Sequence, residues 1–293
     1  MDISVVIVTY NCEAFIKRCI DSLLFSGSRL DLEIIVVDNA SCDTTVKLLR
    51  TEFPKIKVIQ NTKNLGFTKA NNQGIKEAKG RYVFILNPDT ELLGGSLEEM
   101  IRFLDRNPKS GILGPKLLDR DGKIQLSCRA FPSYSTAFFN RYSLLTRIFP
   151  RSKYVDRYLK TSWSHSDIQE VDWVSGAAIV IRKECLEDIG GFDEGFFIYC
   201  EDTDICKRAK DKGWKVFYYP QLYFTHFIGG TLKHTSLLAI FWHHRSMWHY
   251  YKKHLKVNIL WDALVFAIIA MRAILLSCAS LIRNLCVLNK NKK

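Results

Sequence analysis

Arg81–Glu91 reads RYVFILNPDTE, an apolar run that stops at Asn87-Pro88-Asp89. A stretch so rich in aromatic and β-branched residues, with no polar alternation, predicts a strand buried on both faces. Strands of that kind belong to parallel sheets wrapped by helices, where ligands sit beyond the strands' carboxyl ends. Asp89 is thereby placed to meet a cation or a phosphate-bound metal. Asn-Pro-Asp is equally able to be a plain turn.

The flanking sequence continues the pattern. Ile3–Tyr10, Leu32–Asp38 and Ile56–Gln60 read as strands, while Glu13–Phe25, Asp43–Phe53 and Thr68–Lys79 carry helical periodicity. A β-α-β-α order implies a parallel sheet covered by helices. Ser96, with Glu99 three residues on, marks a capped helix running to about Asn107. Beyond Asp119 the rhythm breaks. Lys123–Thr161 predicts loops and short helices, Val171–Arg182 a strand, Glu201–Lys212 a helix and Val216–His226 an aromatic strand.

The chain of 293 residues, 47% hydrophobic and 25% charged, has the composition of a globular fold. Its net charge of +12 points to an anionic partner such as a nucleotide diphosphate, a nucleic acid or an acidic lipid surface. The nine cysteines are irregularly spaced with no C-x-x-C pair, which argues against a disulfide framework or a zinc ribbon. MDISVVIVTY opens directly on a strand, so no export signal is expected.

The carboxyl-terminal part differs. Ala263–Ile282 is interrupted only by Arg272 and weakly polar residues, close to the roughly 20 apolar residues that cross a bilayer. Arg272 and Arg283 fall on nearly the same helical face, and this cationic stripe predicts a helix lying in, or hairpinning through, a lipid interface. Before it, Phe241, Trp242, Trp248, Tyr250 and Tyr251 alternate with Arg245, Lys252, Lys253 and Lys256, as at a headgroup boundary. The expected organisation is 1–230 as a catalytic domain, 231–258 as an aromatic and basic interfacial segment, and 259–293 as a membrane-associating helix with a basic tail.

Neither a dinucleotide G-x-G-x-x-G nor a P-loop follows the first strand. Instead Thr9-Tyr10-Asn11 and Asp38-Asn39-Ala40-Ser41 end two neighbouring strands, where they can hydrogen-bond a base and ribose or cap the next helix. Further polar clusters follow in order: Asn64-Leu65-Gly66-Phe67 with Asn71-Asn72-Gln73-Gly74, Leu86-Asn87-Pro88-Asp89-Thr90, Trp173-Val174-Ser175-Gly176-Ala177, and Phe197-Ile198-Tyr199-Cys200-Glu201-Asp202-Thr203-Asp204. Over roughly the first 230 residues this series closely resembles the family 2 glycosyltransferases, within them the bacterial rhamnosyltransferase-like branch.

The resemblance implies a GT-A fold, an α/β Rossmann-like nucleotide-diphospho-sugar transferase with a mostly parallel sheet flanked by helices. It places Thr9, Tyr10, Asn11, Asp38, Asn39, Gly66, Asn72, Asn87 and Asp89 around a nucleoside-diphosphate sugar. Asn87-Pro88-Asp89 stands where the family has Asp-x-Asp, so Asp89 carries the divalent cation, Mg²⁺ or Mn²⁺, without a second carboxylate beside it. His226, before Ile228-Gly229-Gly230-Thr231, matches a late histidine that faces the metal or diphosphate. The Glu201-Asp202 pair matches the acceptor-side motif, with Asp202 the expected general base and Glu201 the second choice, while Gly176 and Ala177 let an acceptor approach.

The expected activity is inverting sugar transfer, rhamnose being the family's leading donor sugar, onto a lipid-linked saccharide at the cytoplasmic face of the cell membrane in cell-surface polysaccharide assembly. The rivals are a nucleotidyltransferase, which would want a glycine-rich basic loop in place of Tyr10-Asn11-Cys12-Glu13, and a non-catalytic sugar-nucleotide-binding scaffold. A nucleic-acid binder is disfavoured because lysines and arginines are spread along the chain.

Overall fold

The computed structural model describes residues 1–26, 29–133, 152–227 and 236–290. The amino-terminal half runs β1 (Ile3–Thr9), α1 (Ile16–Leu24), β2 (Leu32–Asp38), α2 (Thr45–Glu52), β3 (Lys57–Gln60), α3 (Phe67–Glu77) and β4 (Tyr82–Leu86). These strands lie parallel in the order β3-β2-β1-β4. The chain therefore reverses its direction of sheet growth between β1 and β4, and their carboxyl ends open the crevice in which ligands of such sheets bind.

Both faces of β1 and β4 are covered, as their long apolar runs require. Ile3, Val5 and Ile7 of β1 and Tyr82, Phe84 and Leu86 of β4 face the core beneath α1, while Val6, Val8, Val83 and Ile85 face the core containing Ala70 of α3.

The second half adds β5 (Thr90–Gly94), α4 (Leu97–Arg106), β6 (Ser110–Leu118), β7 (Cys128–Arg129), α5 (Lys153–Leu159), β8 (Gln169–Glu170), β9 (Trp173–Val174), β10 (Ala178–Arg182), α6 (Lys183–Ile189), α7 (Glu201–Asp211) and β11 (Lys215–His226). Ser96 caps α4 by accepting the Glu99 N–H at 3.2 Å. β10 runs antiparallel between β4 and β6, and β11 lies parallel to β6 but antiparallel to β5. The sheet is mixed, its parallel part carrying the first crevice.

Two readings of the strands are corrected. Val171–Arg182 is not one strand: β9 and β10 are separated by a turn at Ser175-Gly176-Ala177, whose backbone bonds lead to other elements. β5, unanticipated, begins one residue after Asp89 and pairs with the end of β11, so that His226 lies opposite Thr90. In the Lys123–Thr161 stretch the described residues form β7 and α5, and 134–151 fall outside the described residues.

Two helices follow, α8 (Leu237–His254) and α9 (Ile259–Lys290). Ile259–Arg283 is long and apolar enough to cross a membrane, with mean hydropathy 2.3 and 6% of its most apolar window buried. The stripe expected from Arg272 is the third correction. Its guanidinium turns onto α8 and donates to His244 Nε2 at 3.2 Å, which can accept because His244 Nδ1 donates to the Ile240 carbonyl. Burial, then the nearby Arg272 charge, lowers the His244 pKa and keeps the ring neutral.

Candidate active site

The ends of β1 and β2 are zipped together. The Thr9 hydroxyl donates to Asp38 Oδ1 at 3.1 Å, and the Ser41 N–H donates to Asp38 Oδ2 at 3.0 Å. Thr9 and Asp38 are wholly buried, so their polar groups shape the floor of the crevice. Asn11, in a left-handed conformation with φ 54°, accepts the Cys42 N–H at 2.8 Å. Tyr10 is exposed at the rim. Beside them opens a cleft of about 460 Å³ lined by Ala40, Ser41, Gln60, Asn61 and Thr62. The last three escaped the sequence reading because β3 ends without a recognisable motif.

Asn39 reaches the same wall, donating to the Gly66 carbonyl at 3.0 Å and accepting from Asn61. Gly66 has φ 88°, and a Cβ there would lie 2.8 Å from the Phe197 carbonyl, whose oxygen accepts the Phe67 N–H. Asn72 is spent on a neighbouring loop: its amide donates to the Phe192 carbonyl at 2.9 Å and accepts the Phe192 N–H at 3.0 Å.

Asp89 sits in the corner between β4 and β5, 3% exposed. Its Oδ1 is buried and accepts no hydrogen bond among the described residues, and His226 Nε2 stands 3.6 Å from it. Burial raises the Asp89 pKa to about 6. A buried carboxylate oxygen lacking a donor, facing an imidazole nitrogen, fits a hard divalent cation whose remaining ligands come from solvent or phosphate. Among the described residues no three His, Cys, Asp or Glu side chains gather into a cation site. Ile228-Gly229-Gly230-Thr231, expected to fold over the phosphates, lies outside the described residues.

Across the crevice the turn after β9 joins the two acid sites. Asn87 N–H donates to the Ala177 carbonyl at 2.8 Å, and Gly176 N–H donates to Asp202 Oδ2 at 3.1 Å. Gly176 and Ala177 had been expected on a strand. Their place in a turn frees the Gly176 N–H for Asp202, and a Cβ at Gly176 would lie 3.3 Å from the Asp202 Cβ.

Asp202 Oδ1 also accepts the Thr203 N–H at 2.7 Å. Burial raises its pKa, while these N–H groups and the Arg129 charge pull it back. Arg129 itself lies over the Trp173 ring at 5.2 Å. Glu201 is buried with Oε2 accepting no hydrogen bond among the described residues; burial and then the adjacent Asp202 charge raise its pKa well above the carboxylate range. Burial thus goes unopposed by any side-chain donor at Glu201, while at Asp202 two N–H groups and Arg129 oppose it, so a charge on the pair is better stabilised at Asp202.

The loop leading to these acids is gripped by α8. Phe197 stacks on Trp242 with centroids 4.1 Å apart, and Ser246 donates to the Ile198 carbonyl at 2.8 Å. Tyr199 and Cys200 both have positive φ, 72° and 63°, a strained pair for non-glycine residues. Within α7, Asp204 is bound by Arg208 at 2.8 Å, and from α8 by Lys253 at 2.8 Å and His254 at 2.7 Å. Trp242, Tyr250, Tyr251 and Lys253, read from sequence as headgroup residues, thus include direct contacts to Phe197 and Asp204, while Leu237, Leu238 and Phe241 remain exposed.

Family comparison agrees with this architecture. The model described as Glycosyl transferase family 2 matches residues 4–147, and that described as Glycosyl transferase family group 2 matches residues 82–287. N-acetylglucosaminyl-diphospho-decaprenol L-rhamnosyltransferase of Mycobacterium tuberculosis is 28% identical over 253 residues, 83% of this chain and 81% of the relative. Rhamnosyltransferase WbbL of Escherichia coli is 26% identical over 259 residues, 84% of this chain and 91% of the relative. The crystal structure of GalNAc-T7 with UDP, GalNAc and Mn²⁺ has TM-score 0.62 at 17% identity, over 85% of this chain and 47% of that one, and shares the fold. With one family model spanning well over half its length, the chain belongs to the family 2 glycosyltransferases, in their rhamnosyltransferase-like branch.

Proposed function

We propose that this glycosyltransferase moves a sugar, with rhamnose the first candidate, from a nucleoside diphosphate to a hydroxyl of a polyprenyl-diphosphate-linked saccharide. The observation that supports this reading is the hydrogen-bonded path from Asn87 through Ala177 and Gly176 to Asp202, which ties the loop before Asp89 to the second carboxylate. The two relatives act, by their names, as rhamnosyltransferases, one of them on a diphospho-decaprenol-linked sugar.

The nucleoside occupies the cleft beside Ala40 and Asn61, bordered by Tyr10, Asn11 and Asn39, with the diphosphate directed toward Asn87 and Asp89. Asp89 and His226 would hold Mg²⁺ or Mn²⁺, which when bound neutralises charge on the departing diphosphate. Asp202 takes the proton of the acceptor hydroxyl as that oxygen attacks the anomeric carbon from the face opposite the diphosphate, inverting it. Of the two acids Asp202 has the N–H donors that stabilise a charge, and the missing side chain at Gly176 lets the acceptor approach it closely. Residues 1–230 form the catalytic unit, 231–258 the segment, with α8, that couples it to a lipid surface, and 259–293 the segment, with the apolar α9, that seats it there, on the cytoplasmic face. The exposed apolar side chains of α9, among them Leu260, Phe266, Met271 and Ile274, support that seating.

The test is release of nucleoside diphosphate by detergent-purified enzyme with Mn²⁺, offered dTDP-rhamnose or UDP-sugars and a synthetic polyprenyl-diphosphate N-acetylglucosamine. Release that requires the lipid-linked acceptor is expected. Binding of donors with no release from any donor–acceptor pair would leave a scaffold.

A further inference from the structure

Gln125 was not singled out by any motif, yet its side chain is buried against the cation corner and every polar group of its amide is placed. Its Nε2 donates to two backbone carbonyls, that of Leu118 at 3.1 Å and that of His226 at 2.8 Å. Its Oε1 lies 2.9 Å from His226 Nδ1. The assignment of O and N in this amide follows from chemistry. Carbonyl oxygens only accept, so exchanging the two ends would set Oε1 against two acceptors and lose both bonds.

With Oε1 facing the ring, His226 Nδ1 must carry the proton, because an amide oxygen cannot donate. A neutral imidazole has one N–H, so Nε2 then presents its lone pair, and it does so 3.6 Å from Asp89 Oδ1. Two acceptors facing each other cannot bond directly, but they can share a cation. The opposite tautomer would donate Nε2–H to Asp89 and close the corner on itself. We propose that Gln125 is a positioning residue that holds His226 in the Nδ1–H tautomer, so that Nε2 and Asp89 together are presented to a divalent cation.

The role is outside the reacting atoms, and it rests on the cation reading of this corner only for its purpose, not for its geometry. Backbone continuity helps it. Gln125 N–H donates to the Leu117 carbonyl at 2.8 Å, fixing residue 125 to the strand beside β11. The amide therefore acts from a rigid base, as partners behind metal-bound histidines do.

Two measurements on the full chain separate the tautomer from the cation. Two-bond ¹H–¹⁵N spectra of ¹⁵N-histidine protein without metal, at a pH above 8 where an ordinary imidazole is neutral, read the His226 tautomer, assigned with His226→Gln. Free Mn²⁺ measured by electron paramagnetic resonance in the presence of dTDP or UDP gives the cation affinity. Wild-type protein is expected to show Nδ1–H, and Gln125→Leu to populate Nε2–H and bind Mn²⁺ about 10- to 100-fold more weakly. An Nε2–H tautomer in the wild type overturns the proposal without any variant, so a Gln125→Leu protein that fails to fold does not shelter it. Unchanged tautomer and Mn²⁺ affinity in folded Gln125→Leu overturn it as well. Wild type showing Nδ1–H but binding no Mn²⁺ upholds the orientation by Gln125 and overturns the cation instead.

Discussion

The carboxylate of Asp202 accepts the backbone N–H of Gly176 at 3.1 Å, bringing together the start of α7 and the turn between β9 and β10. The bond stabilises the charged form, so Asp202 can serve as base although burial raises its pKa. Asp202→Asn is expected to lower kcat by about 10²- to 10⁴-fold with donor affinity unchanged. Steady-state kinetics and donor titration check this, and an equal loss of donor affinity would mark Asp202 as structural.

Glu201→Gln copies the uncharged form that burial favours at this position. With Asp202 as the proposed base, the variant's kcat should fall by well under about 10²-fold and the acidic limb of the rate profile should stay in place. A larger loss in Glu201→Gln than in Asp202→Asn would exchange the two roles.

Asp89 makes an opposite kind of prediction, about stability. Its folded pKa of about 6 exceeds the ordinary 3.8, so the folded state holds the proton more tightly than the unfolded chain and loses stability as pH rises from about 4 to 6. Asp89→Asn removes that cost. The metal-free variant should be more stable than wild type at pH 7, by up to about 3 kcal/mol for a shift of roughly two units, with no advantage near pH 3. Added Mn²⁺ should stabilise the wild type and not the variant. Thermal unfolding across this pH range gives the answer.

Asp204 has the reverse sign. Burial acts to raise its pKa, but His254, Arg208 and Lys253 outweigh it and hold the carboxyl below its usual range. The stabilisation is complete above the unfolded pKa and is lost as pH falls through the lower folded value. Asp204→Asn takes the charge from a fully buried acceptor of the partly exposed Arg208 and Lys253 and should cost about 1–3 kcal/mol at pH 7, measured by denaturant unfolding, with the difference shrinking in acid.

Ending the chain after residue 258 removes α9 but keeps the Lys253 and His254 bonds to Asp204. The truncated protein should leave the membrane fraction and still bind dTDP or UDP. Persistent sedimentation with vesicles at high salt would place the lipid contact elsewhere.

How much was legible beforehand differs by element. β1, β2 and β4 announced themselves because strands covered on both faces must be apolar throughout, and their polar ends therefore stood out as Thr9, Asp38 and Asn87-Pro88-Asp89. The Ser96 cap was readable for a similar local reason. β6 was hidden by Gly111, Gly114 and Pro115, residues that ordinarily punctuate strands; here a Cβ at Gly114 would come within 2.5 Å of Val174.

The order of motifs along the chain was enough to identify the family and to nominate Asp89, Asp202 and His226, since each type of residue advertises its own chemistry. Only the tertiary structure decided which backbone groups meet them. The antiparallel register of β5 on β11 sets His226 beside Asp89, the broken strand at Gly176 lends its N–H to Asp202, and Gln125 arrives behind His226 from about a hundred residues away in sequence. Contacts of that range depend on register and turn geometry, and these are settled by packing of the whole sheet.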